Sequence, residues 1–315
     1  MKTDDYFQGL KNKNRAILGQ AITLIESSLP NDSILKDNLL EKCIPHSGTS
    51  MRIGVSGSPG VGKSTFIEKL GLLLLKKKKK IAVLAIDPSS SVSQGSILGD
   101  KTRMTALTNN DNVFIRPSPN RGSLGGICES TQDTIILCEV SGYDIVIVET
   151  VGVGQSETIA ESITDVFIYL TLIENGDEIQ FIKKGIIELS DLIIINKSDQ
   201  DIKKANQTKM VLEHNINLSH HKLKSVFTCS SLHNQNIDVI WNHIIDLYKK
   251  RNNNGTLIKK RKQQRFSWVQ EIIINKIKNK IINDDEIQSL IIKYENKSNH
   301  SIRKIAEKII KKLLK

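Results

Sequence analysis

The stretch GSPGVGKST, residues 57–65, limits what this chain can fold into more than any other part of it. In the spacing Gly-x4-Gly-Lys-Ser, the glycines let the backbone curl so that successive N–H groups point at a phosphate. An extended apolar run, MRIGVSG, comes before this loop, and the helical pattern STFIEKLGLLLL follows it. The order of strand, glycine loop and helix predicts an α/β domain that binds a phosphate at the start of the helix.

We expect the whole loop to surround the phosphates of a nucleotide. Lys63 would reach the outer phosphates and act in catalysis, and the hydroxyl of Ser64 would ligate Mg²⁺. The residues predicted to line the phosphates are Gly57, Ser58, Pro59, Gly60, Val61, Gly62, Lys63, Ser64 and Thr65.

From residue 51 onward, short apolar runs alternate with helical stretches. This alternation predicts a mainly parallel sheet covered by helices on both faces, which together with the loop is the architecture of a P-loop NTPase. Aromatic residues make up only 4% of the chain, so the core would be built from Ile, Leu and Val, which suits buried parallel strands. The predicted strands lie in RIGVSG, KIAVLAID, NVFIRP, YDIVIVET, DVFIYLTL, DLIIINK and SVFTCSS.

Helical regions flank the predicted nucleotide domain on both sides. We assign residues 1–48 to an N-terminal helical extension, 49–250 to the P-loop domain and 251–315 to a C-terminal helical arm. The polar stretch RNNNG at 251–255 predicts a linker. Near the end of the chain, isoleucines and leucines recur at helical spacing with lysines opposite, which favours an amphipathic helix docked on its own chain or on a second copy.

The composition argues against several classes of function. The net charge of +11 would permit a nucleic-acid partner, but no basic motif interleaved with aromatic residues accompanies it. The four cysteines are scattered without a Cys-x-x-Cys pair, so neither a disulfide framework nor a zinc site is expected. No apolar run approaches the roughly 20 residues needed to cross a bilayer. We therefore expect a cytoplasmic protein that binds neither nucleic acid nor a membrane.

The stretch DLIIINKSDQ decides which base such a site would accept, because an apolar strand ends there at Asn-Lys-x-Asp. A buried carboxylate at Asp199 could accept from the ring N–H and the exocyclic amine of guanine, whereas adenine would leave it unpaired, at a cost of about 1–3 kcal/mol. Lys197 would lay its aliphatic stem over the base, and Asn196 would connect this loop to the phosphate loop. Backbone amides of the later stretch FTCSSL are expected to donate to the guanine oxygen; they belong to Ser230, Ser231 and Leu232.

The stretch YDIVIVETVGVGQSE brings Glu149 to the end of another buried strand. We expect Glu149 to act on Mg²⁺ through a bound water, and the amide of Gly152 to contact the γ-phosphate. No glutamine directly follows Gly152, so Gln155 is the candidate that remains for orienting the attacking water. The sequence therefore predicts slow intrinsic hydrolysis.

Two further carboxylates are candidates for the magnesium site. Asp87 ends the strand IAVLAID, and the polar loop after it carries Asp100. Because Mg²⁺ prefers oxygen ligands and keeps several waters, these carboxylates would complete the set that Ser64 and Glu149 begin. For both aspartates, a role in a helix cap or a turn is the alternative.

With these residues assembled, the sequence resembles the methylmalonyl-CoA mutase-associated GTPases, the MeaB/ArgK family. The motifs that carry the resemblance occur in the order the family shows and extend to IDVIW near residue 241. They are GSPGVGKSTF, AIDPSSSVSQGSILGDKTRM, FIRPSPNRGSLGG, YDIVIVETVGVGQSE, GDEIQFIKKGI and NKSD.

The resemblance implies a magnesium-dependent GTPase that acts as a chaperone for an adenosylcobalamin-dependent mutase, gating cofactor loading and protecting the mutase. It places Asp87, Asp100 and Glu149 at the family's magnesium-linked carboxylates, with Asp100 and Glu149 also in catalysis. It further implies that Lys183, in a switch segment, reaches the nucleotide only when the mutase is bound, and that the C-terminal arm forms a homodimer. A cobalamin adenosyltransferase is a further partner to consider.

Other functions stay open on the sequence alone. An ATPase or kinase coupled to lysine, arginine and ornithine transport would prefer adenine, against which Asn-Lys-x-Asp argues. A nickel metallochaperone on the same scaffold would need a His-rich tail or a Cys pair. A protein-targeting GTPase would need a Met-rich domain, whereas the chain has four Met.

Overall fold

The computed structural model describes residues 1–27, 29–86, 104–116, 124–150, 156–173, 184–218, 224–295 and 301–313. These residues contain a seven-stranded parallel sheet in the order β3-β2-β4-β1-β5-β6-β7. Each of the seven predicted runs forms one strand, so the predicted α/β fold is confirmed. The strands are β1 (Met51–Gly57), β2 (Ile81–Ile86), β3 (Val113–Arg116), β4 (Ile145–Thr150), β5 (Val166–Thr171), β6 (Leu192–Ile195) and β7 (Ser225–Thr228).

Helices cover both faces of the sheet. Before and within the sheet region they are α1 (Thr3–Lys11), α2 (Arg15–Ile25), α3 (Pro30–Cys43), α4 (Lys63–Lys76), α5 (Thr105–Thr108), α6 (Leu124–Val140), α7 (Ser156–Ile163), α8 (Lys184–Leu189) and α9 (Ile202–Leu218). The helices after β7 are α10 (Ile237–Asn253), α11 (Thr256–Asn283), α12 (Asp285–Glu295) and α13 (Ile302–Leu313). None of these described helices is both long enough and apolar enough to cross a membrane.

The strands are apolar on both faces because both faces are covered. In β4, Ile145 and Ile147 pack in the core beneath α4 and α10, while Val146 and Val148 pack in the core beneath α2, α6 and α7. Successive strand side chains point to opposite faces, so an uninterrupted apolar run fills both cores at once. This is why the runs read as continuous stretches of Ile, Val and Leu rather than as alternating patterns.

The N-terminal helices belong to one of these cores. The side chain of Asn14 caps α2 by accepting hydrogen bonds from the amides of Ala16 and Ile17. Leu18 and Ile22 of α2 are buried in the core that also contains α6 residues. Residues 1–48 therefore supply part of the covering layer on the face of α6.

At the amino edge of the sheet, arginines from the helices after β7 bind aspartates that precede two strands. Arg251 of α10 pairs with Asp191, just before β6. Arg261 of α11 binds both carboxylate oxygens of Asp165, just before β5, at 2.8 and 2.7 Å. The first turns of α11 are thus fixed to the edge of the sheet opposite the phosphate loop.

The C-terminal part differs from the expected linker in one respect. Helix α10 continues through Asn253 and only Asn254 and Gly255 separate it from α11, so residues 251–253 of the polar stretch are helical and residues 254 and 255 form a turn. The pairing of Arg251 with Asp191 holds this last turn of α10 on the domain.

The described residues form two compact units, Met1–Gln264 and Arg265–Lys315, with the boundary inside α11. The domain limits at 48 and 250 stay predictions.

Candidate functional site

The phosphate loop leaves β1 at the point where the strand order reverses. The sheet continues from β1 through β4 on one side and β5 on the other, and ligands of parallel α/β sheets bind beyond the carboxyl ends of the strands at such a point. Gly57, Gly60 and Gly62 all have positive φ angles, which side-chain-bearing residues rarely adopt. At Gly57, a Cβ would lie 2.3 Å from the carbonyl oxygen of Leu170 in β5. The sheet therefore requires glycine where the loop begins.

Lys63 is the first residue of α4 and is buried. Its Nζ donates to the carbonyl oxygens of Gly57, at 2.8 Å, and Ser58, at 3.1 Å. These bonds keep the ammonium inside the loop, at the start of the helix, where a phosphate would be attracted by both the lysine and the helix dipole.

Ser64 and Glu149 meet beside the loop. The hydroxyl of Ser64 donates to Oε1 of Glu149 at 3.0 Å, and the Glu149 side chain is buried at the end of β4. A hydroxyl and a carboxylate in contact next to a phosphate loop supply the oxygen ligands that Mg²⁺ prefers, with water and phosphate completing its shell. The chemistry of these two side chains fits the predicted magnesium site.

A pair of buried hydroxyls links the same strands. Thr150, next to Glu149, donates to the Ser56 hydroxyl at 2.8 Å, and both residues have no exposed surface. Removing one hydroxyl would leave the other buried without its partner. Neither residue was among the site residues predicted from the sequence. Their only sequence signal is a hydroxyl-bearing side chain inside an apolar strand.

Asn196 connects the base loop to the phosphate loop, as predicted. Its Nδ2 donates to the carbonyl oxygen of Val61 at 2.8 Å. Its Oδ1 accepts from the backbone amide of Ser231 at 3.0 Å, from the Ser231 hydroxyl at 2.8 Å and from the thiol of Cys229 at 3.3 Å. Three loops at the carboxyl edge, after β1, β6 and β7, are thereby joined through one side chain.

Asp199 has the free acceptor that a guanine would need. Its Oδ1 is buried and accepts no hydrogen bond from the described residues. A hydrogen bond from the Ser230 side chain, assisted by the charges of His233 and Lys197, holds the pKa of Asp199 below its usual value. The group is therefore a carboxylate at neutral pH, and a buried carboxylate oxygen without a donor is costly unless a ligand supplies one.

His233 and Cys229 make contacts at this site that were not predicted from the sequence. The Nε2 of His233 lies 3.7 Å from Oδ2 of Asp199. Burial raises the pKa of the Cys229 thiol to about 12, so it stays protonated and can donate to Asn196. The Ser231 amide, expected to meet the guanine oxygen, donates to Asn196 in this structure, and Leu232 is exposed.

Several predicted site residues lie outside the described part of the chain. They are Asp87, Asp100, Gly152, Gln155 and Lys183. The described residues bring together the phosphate loop, Glu149, the Asn-Lys-x-Asp loop and residues 229–231 at one edge of the sheet. The catalytic and binding roles of all these residues stay predictions.

The fold and this edge define the class of protein: it is a P-loop NTPase, with a phosphate loop tied to a base loop. Among solved structures, the chain is similar to one described as a LAO/AO transport system kinase, with a TM-score of 0.80, 33% identity, and coverage of 99% of this chain and 98% of that one.

The chain belongs to the family described as methylmalonyl Co-A mutase-associated GTPase MeaB, whose family model matches residues 18–286. It is 45% identical over 271 residues to the GTPase ArgK of Escherichia coli, covering 83% of this chain and 81% of that relative. It is 39% identical over 285 residues to the mitochondrial methylmalonic aciduria type A homolog of Mus musculus, covering 86% of this chain and 69% of that relative. The protein is thus a GTPase of this family, as its motifs predicted.

Proposed function

We propose that this GTPase is a magnesium-dependent chaperone that gates cofactor loading of an adenosylcobalamin-dependent mutase and protects that mutase. One observation above all supports a guanine nucleotide. Oδ1 of Asp199 is buried and accepts no hydrogen bond from the described residues, beside the link from Asn196 to the phosphate loop. The mutase is supported by the family description and by the names of relatives.

In this proposal, different residues bind the phosphates, the base and Mg²⁺. The phosphate loop and Lys63 bind and orient the phosphates, while Asp199 and Lys197 hold the base. Ser64 and Glu149, with Asp87 and Asp100, would hold Mg²⁺. When bound, the ion would neutralise charge that develops on the phosphates. Glu149 would take part through a water, because it already accepts from Ser64 at 3.0 Å.

We further propose that hydrolysis is slow in the isolated protein and faster in complex with the mutase. Gly152 would contact the γ-phosphate, and Lys183 would reach the nucleotide only in the complex. A site completed by its partner makes hydrolysis report on docking. A cobalamin adenosyltransferase is a second partner in this scheme. The cytoplasmic location expected from the sequence stays a prediction.

The arm would make the protein a homodimer. Four apolar side chains of α11 in the second compact unit are exposed and recur at intervals of three and four residues, which puts them on one face of the helix. They are Phe266, Val269, Ile273 and Ile277. An exposed apolar stripe of this length favours a matching helix as its partner, and we propose a second copy of the same arm.

An ATPase or kinase coupled to amino-acid transport is the alternative, because a similar solved structure is described as a transport system kinase. The two proposals differ in the base. Adenine presents an amine but no ring N–H beside it, so it would leave an oxygen of Asp199 unpaired.

Adding the purified mutase to the GTPase tests the chaperone proposal. We expect GTP turnover to be slow alone and to rise by about tenfold or more at saturating mutase, because a charged group supplied by a partner stabilises the transition state. Lys63→Ala should abolish turnover with and without mutase, which excludes a contaminating GTPase. Turnover that is rapid in the isolated protein, or unchanged by saturating mutase, would contradict the proposal.

A further inference from the structure

The side-chain oxygen of Asn196 lies within hydrogen-bond distance of three donor groups. An amide oxygen has two lone pairs. Three donors point at Oδ1: the Ser231 amide at 3.0 Å, the Ser231 hydroxyl at 2.8 Å and the Cys229 thiol at 3.3 Å. Asn196, Ser231 and Cys229 are all buried, so water does not compete for these positions. The thiol is the weakest of the three donors and also lies 3.9 Å from the Ser231 hydroxyl oxygen, so the amide and the hydroxyl of Ser231 are the two strong donors to Oδ1.

The orientation of Asn196 is set by its other end. Its Nδ2 donates to the carbonyl oxygen of Val61 at 2.8 Å, and an amide nitrogen cannot trade places with the oxygen there because Val61 offers only an acceptor. A Cβ at Gly62 would lie 2.6 Å from the same Nδ2. Any movement of Asn196 would therefore change its contacts with the phosphate loop.

In the nucleotide complex, the Ser231 amide would have a second acceptor. Under the proposed site, the backbone amides of residues 230–232 face the carbonyl oxygen of guanine. An N–H makes one strong hydrogen bond at a time, so the amide of Ser231 would leave Asn196 when it donates to the base. The hydroxyl would then be the remaining strong donor, since a thiol is a weak one.

We propose that the Ser231 side chain is a positioning residue for guanine recognition. Its hydroxyl holds Asn196, and through it Val61, while its own backbone amide is transferred to the carbonyl oxygen of the base. This inference rests on the proposed guanine site. It assigns to the hydroxyl a role separate from the backbone contact expected at the same residue.

Ser231→Ala tests this role because it removes the hydroxyl and keeps the amide. We expect GDP to dissociate about fivefold faster from the full-length variant, the scale of one buried hydrogen bond, and KM for GTP to rise by a similar factor. The kcat at saturating GTP should change by less than about twofold, because the hydroxyl acts on binding and not on the reacting phosphate. Ser231→Thr, which keeps a hydroxyl, should restore slow GDP release.

Ser50→Ala is the matched control for a merely structural effect. Ser50 is equally buried and its hydroxyl also makes one hydrogen bond, to the carbonyl oxygen of Tyr143, at the opposite edge of the sheet. We expect Ser50→Ala to lower the melting temperature of the nucleotide-free protein without changing GDP release. Faster GDP release from Ser50→Ala, equal to that from Ser231→Ala, would overturn the inference.

Asp199→Asn separates failure of this inference from failure of the proposed site. If Asp199→Asn weakens GDP binding and Ser231→Ala releases GDP at the wild-type rate, the role of Ser231 is wrong and the guanine site stands. If neither substitution changes GDP binding, the guanine site itself is wrong, and the inference falls with it.

Discussion

Gly62 leaves no space for a side chain, because a Cβ there would lie 2.6 Å from Nδ2 of Asn196. Its φ of +94° adds a second reason for glycine. Both facts follow from the close approach of the phosphate loop to the base loop. Glycine is thus required at position 62 by a contact between two loops that are far apart in the chain. Asn196 and Val61, which the contact joins, are separated by 135 residues.

Gly62→Ala should weaken GDP binding by about tenfold or more, because Asn196 must move and the bonds it makes to Val61 and Ser231 must lengthen. Gly255→Ala is the control, since Gly255 also has a positive φ, +73°, but an added Cβ would meet nothing within 4 Å. It should cost about 1–2 kcal/mol of stability through backbone strain. Titration with a fluorescent GDP analogue measures the affinities, and equal GDP affinity for the two variants would refute this account of Gly62.

The sequence predicts the residues of the loops better than it predicts the bonds between them. Gly-x4-Gly-Lys-Ser and Asn-Lys-x-Asp are recognisable because each chemistry needs a fixed local spacing. A link from Asn196 to the phosphate loop was also predicted, and the structure identifies Val61 as the residue it contacts. The hydroxyl of Ser231 on Asn196 could not be, because it depends on how β6 and β7 are placed side by side.

At the level of helices and strands, two arginine–aspartate pairs lie at the amino edge of the sheet, and the candidate ligand groups lie at its carboxyl edge. Arg261 donates to Asp165 from two nitrogens and also to the carbonyl oxygens of Gly48 and Ser50. Burial lowers the pKa of Arg261, but the hydrogen bonds and charge of Asp165 offset this and raise it overall. Helix α11 begins at a point fixed by these bonds.

Arg261→Ala should lower the free energy of unfolding by about 3 kcal/mol or more, because the Asp165 carboxylate, fully buried, would lose its charge partner. Lys259→Ala, two residues earlier on the exposed side of α11, should change it by less than about 0.5 kcal/mol. Urea unfolding followed by circular dichroism compares the two. A loss no larger for Arg261 than for Lys259 would mean that the pair with Asp165 does not hold the helix.

Element positions were predictable where pattern and packing agree. All seven apolar runs form strands of the parallel sheet, whose strands are buried on both faces and therefore carry continuous apolar runs. The polar stretch at 251–255 was predicted to be a linker but is partly helical. Polar composition indicates exposure to solvent and does not mark the end of a helix. Arg251 lies in that stretch and its helix continues because its side chain reaches Asp191.

At the scale of the whole molecule, one rule of topology assembles the site. The carboxyl ends of parallel strands meet at one edge, so Glu149 near the end of β4 and the residues that follow β1, β6 and β7 come together although they are spread over some 170 positions, from Gly57 to Ser231. That rule was available from the sequence. The strand order, which determines which loops become neighbours, could not be predicted from the sequence.

The arm gives a prediction about assembly. The double substitution Ile273→Glu and Ile277→Glu should turn a dimer into a monomer, because it puts two charges on the exposed apolar face of α11. Asn279→Glu, on an exposed position of the opposite face, should leave the dimer intact. Light scattering after size-exclusion chromatography gives the molar mass. A wild-type protein that is monomeric at high concentration would exclude this arm interface.

Competition binding tests whether the carboxylate of Asp199 recognises the base of the nucleotide. Fluorescent GDP bound to the wild-type protein should be displaced by GTP but not by ATP. In Asp199→Asn, GDP affinity should fall about 10- to 100-fold while xanthosine diphosphate gains affinity, because an amide offers one acceptor and one donor. Asp238→Asn, at an exposed site on α10, should behave as wild type. ATP that displaces GDP from the wild type, or an Asp199→Asn variant that keeps full GDP affinity, would contradict the account.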